Sequence, residues 1–380
     1  MKRVRQPANR RGTVVVLTAF LMVVLMALLA FSIDLGKLCV ARSELQRTAD
    51  AAAIAAAWEL IDPLELTGSS DLVLAQYKAR QQAEQLAASN AVLLEAPQLA
   101  SEDVQFGYMA DPTDADCPFD TSGTYAPNAV RVVVRRTQQV NGVVPLAFAR
   151  VLGVDGSALS AEATATLLTN INGFRVPDDQ SNLGILPIAL DKETWDNLIY
   201  SGVGTDVWKW DEVQQRVVPG SDSIREINLY PQGTGSPGNR GTVDIGSPNN
   251  STADIARQIL HGISPSDLAY HGGKLEFDSN GKLYLNGDTG ISAGIKDELA
   301  SIIGKTRIVP VFSQVTGPGN NATYTIVQFV GVRMMEVKLT GSSSSKRVIV
   351  QPAHVVTRGV IPGSTSGKST FVYSPVRLVR

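Results

Sequence analysis

The sequence runs to 380 residues, 44% hydrophobic and 18% charged, which gives room for two ordinary domains and excludes disorder of the whole chain. Its 34 Lys and Arg nearly cancel 36 Asp and Glu, so a net charge of −2 supplies no global field to draw the protein onto nucleic acid. Two cysteines, Cys39 and Cys117, cannot make a disulfide scaffold or a four-thiolate zinc site, and the three histidines, His261, His271 and His354, lack HExxH spacing. No cofactor, metal or nucleic-acid partner is expected.

From Thr13 to Ile33 the chain has 21 residues without a charge. As a helix rising about 1.5 Å per residue, that run spans a hydrocarbon core of ~30 Å. Lys2, Arg3, Arg5, Arg10 and Arg11 precede it with no acidic residue, whereas Asp34, Lys37, Arg42, Glu44, Arg47 and Asp50 beyond it are mixed. This asymmetry predicts a single-pass transmembrane helix over 13–33 with residues 1–12 as a cytoplasmic leader, Arg11 and Asp34 at the membrane boundaries, and the bulk outside. A cleaved secretory signal shares the order of charges, but its apolar region is usually about 7 to 15 residues. The helix is predicted to run on to about residue 61, because strong helix formers continue and no proline occurs between Gly36 and Pro63. Its outer half carries a heptad-spaced seam, Leu35, Leu38, Arg42, Leu45, Ala49, Ala52 and Ala56, suited either to the chain's own folded part or to other subunits or copies.

Arg11-Gly12, the apolar run, Asp34, Gly36, Arg42, Leu45-Gln46, Asp50 and the tract Ala51 to Ala57 together resemble the N-terminal segment of TadE/TadG-like proteins of Flp-type (tight-adherence) pilus assembly. Val143 to Leu168 is similar to a downstream block of TadG-like proteins. The resemblance implies an inner-membrane-anchored, pilin-like protein exposed to the periplasm, whose partners are membrane lipid, other pilus-assembly or pilin-like subunits, or further copies of itself. The chain departs from pilin precursors in having Leu17, not Glu, five residues after Gly12, so prepilin processing is not expected. It also lacks the DxSxS of a metal-binding adhesion domain, the nearest segment being Asp155 to Leu159.

The expected fold class is α+β. A second amphipathic helix is predicted over 71–90, N-capped by Ser70, with Leu72, Gln76, Ala79, Ala83 and Leu86 on one face. Strands over 104–109, 129–137 and 161–169, a short helix over 145–152, and a loop holding Cys117 complete a pilin-like unit over 34–170. Residues 171–182 read as a linker to a β-rich α+β domain over 183–380. That domain is predicted to have strands over 184–190, 307–312, 324–339 and 347–350, a hairpin at Asn280-Gly281, helices over 252–260 and 293–303, and a surface loop over 231–250.

Other motifs carry bland readings beside sharp ones. Gly233 to Gly238 matches GxGxxG, but Pro237 opposes the helix a dinucleotide site needs. Gly363 to Ser369 has three residues between its glycines where a phosphate loop has four. Arg131, Arg135 and Arg136 form a basic strand that is either a solvated face or a contact for acidic groups. Trp195, Trp208 and Trp210 are either core or a sugar-stacking surface. His261 and His271, near Asp267 and Asp278, read as ordinary histidines before a metal site, and Cys39 and Cys117 are candidates for a periplasmic disulfide. The leading expectation is a membrane-anchored, non-enzymatic assembly component. The alternatives are an adhesive or carbohydrate-binding envelope module and a membrane-tethered envelope hydrolase.

Overall fold

The computed structural model describes residues 11–61, 63–67, 71–114, 116–231, 240–317, 319–342, 345–363 and 369–379. Helix α1 spans Arg11–Trp58 without a break, close to the expected 13–61. At 1.5 Å per residue it is about 70 Å long. Residues 14–29 are exposed all round, whereas burial sets in at Asp34 and recurs at Ala41, Leu45, Thr48 and Ala49. Among the described side chains of the apolar half, the hydroxyls of Thr18 and Ser32 each donate back to the carbonyl four residues earlier, Val14 and Leu28, at 2.8 Å. Neither therefore needs an outside partner. The helix ends through tightened bonds, Glu59 N–H to Ala56 and Ile61 N–H to Trp58, both 3.2 Å, ahead of Pro63, which cannot extend it.

Helix α2 (Leu72–Ser89) packs along α1, and its N-cap is Asp71, whose carboxylate accepts from Leu74 N–H at 2.9 Å. Ser70, the expected cap, lies outside the described residues. The buried face of α2 is Ala75, Ala79, Ala83 and Ala87, so the expected face through Leu72, Gln76 and Leu86 is turned toward its alanines and Leu72 is exposed. Small side chains let two backbones approach closely, and alanines of α1 (Ala49, Ala52, Ala53, Ala56, Ala57) meet those of α2 in one buried cluster. Against this pair lies a four-stranded antiparallel sheet. Its strands β1 (Val104–Gly107), β2 (Ala129–Arg136) and β5 (Leu159–Thr166) match expectation. Between β2 and β5 the chain makes a small hairpin, β3 (Val144–Pro145) and β4 (Gly156–Ser157), where a helix over 145–152 was expected. Only Ala149–Leu152 at its tip is a single 3-10 turn.

The fourth strand of that sheet is Arg377–Val379, paired with Thr164 to Thr166 of β5. The chain therefore closes its first unit with its far end. The stretch over 171–182 is not a plain linker either. Strand β6 (Ile171–Arg175) pairs with Lys274–Glu276 and Val360–Pro362. Its buried Ile171 and Phe174 are masked in sequence by the Asn and Gly between them.

The rest is built on an eight-stranded sheet whose spine is the 17-residue strand Ala322–Lys338. It pairs antiparallel with Thr306–Thr316, Leu283–Asp288 and Arg347–Pro352. One face is covered by α3 (Lys192–Ser201), α4 (Thr252–His261) and the 3-10 turn Ala293–Ile295 leading into a later short helix, Lys296–Ser301. Trp195, Ile255, Ile259 and Leu299 supply that core, and Phe174, Leu275, Phe277 and Phe329 fill the other. Three expectations change. The segment 184–190 holds isolated bridges at Ile185 and Ile188 and a strand only at Leu190–Asp191, because Pro187 interrupts the ladder. The turn at Gly281 (φ 72°) forms, but its arms enter different sheets. The segment 240–245 is buried rather than a surface loop, and Arg240 pairs with Asp191 at 2.5 Å. Residues 232–239, including the GxGxxG match, lie outside the described residues.

Ala83→Leu forces extra volume between α1 and α2 and is expected to lower stability by about 1–3 kcal/mol in denaturant unfolding of the detergent-solubilised chain. Ala88→Leu, on the exposed side of α2, is expected to stay within about 0.5 kcal/mol. Equal effects at the two positions would contradict the alanine contact.

Candidate functional site

The predicted site residues all lie on α1, and the structure divides them. Leu45, Ala49, Ala52 and Ala56 are fully buried against α2 and the sheet of the same chain. For these four the partner-interface expectation gives way to packing inside the first unit, since no area of theirs is left for another subunit. Leu35, Arg42 and Gly36 are exposed and Leu38 is half-buried. Arg11 and Gly12 form the first helical residues of α1, and the Arg11 side chain lies outside the described residues, as do residues 1–10.

Asp34 is not a solvated boundary charge. It is 5% exposed. Its Oδ1 accepts from Ala147 N–H at 2.8 Å, and its Oδ2 accepts from Phe148 and Ala149 N–H at 2.9 and 2.7 Å. The carboxylate thus caps the 3-10 turn at the hairpin tip, where the free amides of a helix start present donors. Burial acts to raise its pKa, and the three amide bonds with nearby Lys37 outweigh that effect, so Asp34 titrates below its ordinary 3.8.

Three more polar residues of α1 continue this fastening. Glu44 Oε2 accepts from Leu93 N–H at 2.7 Å. Gln46 Nε2 donates to Glu162 O at 3.0 Å and to Asp50 Oδ1 at 2.8 Å. Thr48 Oγ1 donates to Asn90 O at 3.1 Å. The apolar seam alone does not point to Glu44 or Thr48. The hairpin tip was legible only as part of the block Val143 to Leu168.

The remaining candidates have structural roles. Arg135 donates to Glu102 at 2.7 Å and lies 2.9 Å from Asp103, Arg131 lies 3.3 Å from Glu162 and over the Phe119 ring, and Arg136 is buried and donates to Gly142 O at 3.2 Å. Trp195 is core at 1% exposure, and Arg333 stacks 4.2 Å over the half-buried Trp210, so no row of open indole faces awaits a sugar. Asp267 is paired with Arg257 and caps a short helix through Ser264, which removes it from any metal site with His271. Cys39 and Cys117 are both free thiols. A cleft of about 370 Å³ beside β6 and the strand Arg377–Val379 is lined by Arg175, Asp179, Arg358 and Arg377. Its Ser374 hydroxyl accepts from Leu168 N–H at 2.7 Å and donates to Pro375 O at 3.1 Å, so Ser374 is not paired with a general base. Residues 364–368 of the phosphate-loop resemblance lie outside the described residues.

A family model described as Flp pilus-assembly TadE/G-like matches residues 12–59, and one described as Tad-like Flp pilus-assembly matches residues 55–165. The first ends with α1, and the second stops at the close of β5. No curated relative and no solved structure matches the chain. Residues 12–165 thus match models of Flp pilus assembly, as the resemblance of the N-terminal residues implies, and these matches support a role related to Flp pilus assembly.

Asp34→Asn removes the charge and one acceptor, so the amides of Ala147, Phe148 and Ala149 are expected to exchange hydrogen several-fold faster. Because the folded pKa is depressed, the stabilisation is fully present above the unfolded 3.8 and is lost as pH falls through the folded value. Protection of these amides in the native chain should therefore weaken under acid, and the Asn variant should lack that acid-dependent step. Unchanged exchange in Asp34→Asn would contradict the cap.

Proposed function

We propose that this chain is a single-pass, membrane-anchored structural component of an Flp-type pilus-assembly system and performs no covalent chemistry. The observation carrying the reading is the helix itself: a 48-residue α1 whose N-terminal half is apolar and uncovered while its other half is the core of a TadE/TadG-like unit. An apolar rod exposed on every side fits a hydrocarbon solvent, and roughly 20 such residues match its thickness. The basic residues 2–11 favour a cytoplasmic N-terminus in the inner membrane, with residues 34–380 outside it. Division into a pilin-like unit over 34–170 and a second unit over 183–380 remains useful as a functional proposal, with Arg377–Val379 tying the two together. Contacts to other assembly subunits or further copies are assigned to the uncovered seam positions, Leu35 and Arg42.

Alkaline extraction should leave the chain in the membrane pellet. Val213→Cys, 93% exposed in the second unit, should react with a membrane-impermeant maleimide once the outer membrane is opened, before the inner membrane is lysed. Host cells lacking the chain should lose Flp-type pili by electron microscopy. A soluble chain, labelling only after inner-membrane lysis, or undiminished pili would contradict the proposal.

A further inference from the structure

Resting on that span, we infer that the hairpin tip over 146–155 is a second membrane contact, entering the lipid–water interface beside α1. Four large apolar side chains stand exposed within seven residues there: Phe148 at 42%, Val151 at 84%, Leu152 at 85% and Val154 at 50%. A lone exposed apolar residue is ordinary, but a cluster this dense on one short turn marks an interaction surface.

The height of the tip along α1 identifies what it meets. Gln46 is level with Glu162 of β5, and Asp34 is level with residues 147–149. Their twelve-residue separation along α1 corresponds to a rise of about 18 Å. The hairpin thus hangs from the sheet toward the N-terminal half of the helix. It stops at Asp34, the first charged residue after the apolar run. Three hydrogen bonds to the Asp34 carboxylate hold it there, so the cluster is fixed where the proposed bilayer begins.

The backbone of the tip suits a poorly hydrated setting. Among residues 146–154, seven N–H groups are satisfied within the chain. Three go to Asp34, and the others include Leu146 N–H to Asp155 O at 3.1 Å and Gly153 N–H to Arg150 O at 3.0 Å. Gly153, in the left-handed region at φ 85°, closes the turn that leaves Val151 and Leu152 outward. Arg150, whose side chain is 76% exposed and pairs through Nε with Asp155 at 3.1 Å, lies in the same turn, and its terminal guanidinium nitrogens face outward at phosphate-headgroup level. Phe31, Ile33 and Leu35 of α1, within three residues of Asp34 in sequence, are exposed as well. Lipid is the occupant these observations favour over a protein partner.

The test uses the full chain with Cys39→Ser and Cys117→Ser, carrying one new thiol at a time labelled with an environment-sensitive fluorophore. It is reconstituted into phosphatidylcholine–phosphatidylglycerol vesicles whose acyl chains bear a nitroxide near the headgroup or, for Leu25 at the centre of the span, near the chain end. Leu152→Cys is expected to lose about half or more of its emission, as befits a segment buried ~5–10 Å into the interface. Leu25→Cys should be quenched as a span residue, and Val213→Cys should be unaffected. Quenching at Leu25 with none at Leu152 overturns the second contact and leaves the span intact. No quenching at Leu25 overturns the span and this inference with it. A blue shift at Leu152 without nitroxide quenching assigns the patch to a protein partner and also overturns the inference.

Discussion

One unbroken helix with two different surroundings positions everything in the first unit. The absence of proline from residue 11 to Trp58 keeps α1 whole, so wherever its apolar half is held, the alanine-faced half and all that packs on it are held too. Alanine suits that second half on two counts. It has the highest helix propensity, which keeps a long rod formed, and its short side chain lets α2 and the sheet come close enough to exclude water. A bulkier face would separate the helices and open voids along the contact.

Asp34 lies where the two surroundings meet, and its position resolves a conflict. A charge next to an apolar run favours water, yet this carboxylate is buried. Burial is tolerated because three amide donors replace its hydration and keep it ionised. The same bonds attach a loop 113 to 115 residues away to the end of the apolar run. With Glu44, Gln46 and Thr48 making further side-chain bonds, the folded unit is fastened to the helix at successive heights rather than tethered by a flexible stalk. With α1 spanning a bilayer as proposed, this rigidity would fix the unit's orientation relative to it.

Local signals were readable in sequence and long-range ones were not. The apolar run, the continuation of α1 and strands β1, β2 and β5 rest on periodicity and composition within a few residues, and the structure contains them close to the expected bounds. The heptad seam was also real, but periodicity cannot tell a chain's own core from another subunit, and Leu45 to Ala56 proved to be core. Asp34 was visible as the first charge after the run. Its partners were not, because nothing local links residue 34 to 147–149. Similarly, Arg377–Val379 looks like any terminal strand, and only the folded topology places it in the first sheet. Residues 145–152 read as a helix because Leu, Ala and Arg are helix formers. The structure makes a hairpin there, since Asp34 caps its turn and Gly153 ends it.

The central claim is that α1 passes from lipid to water at Asp34, and its most direct test is a spin-label scan. Single nitroxides placed from Val14 to Ala41 of the bilayer-reconstituted chain would be read for accessibility to oxygen and to a water-soluble nickel chelate. The account predicts oxygen dominance centred near Val23 and Val24, crossing to nickel dominance within one helical turn of Asp34. Nickel accessibility along the whole of Val14 to Ile33, or a crossover deep in the alanine-faced half near Leu45, would contradict it.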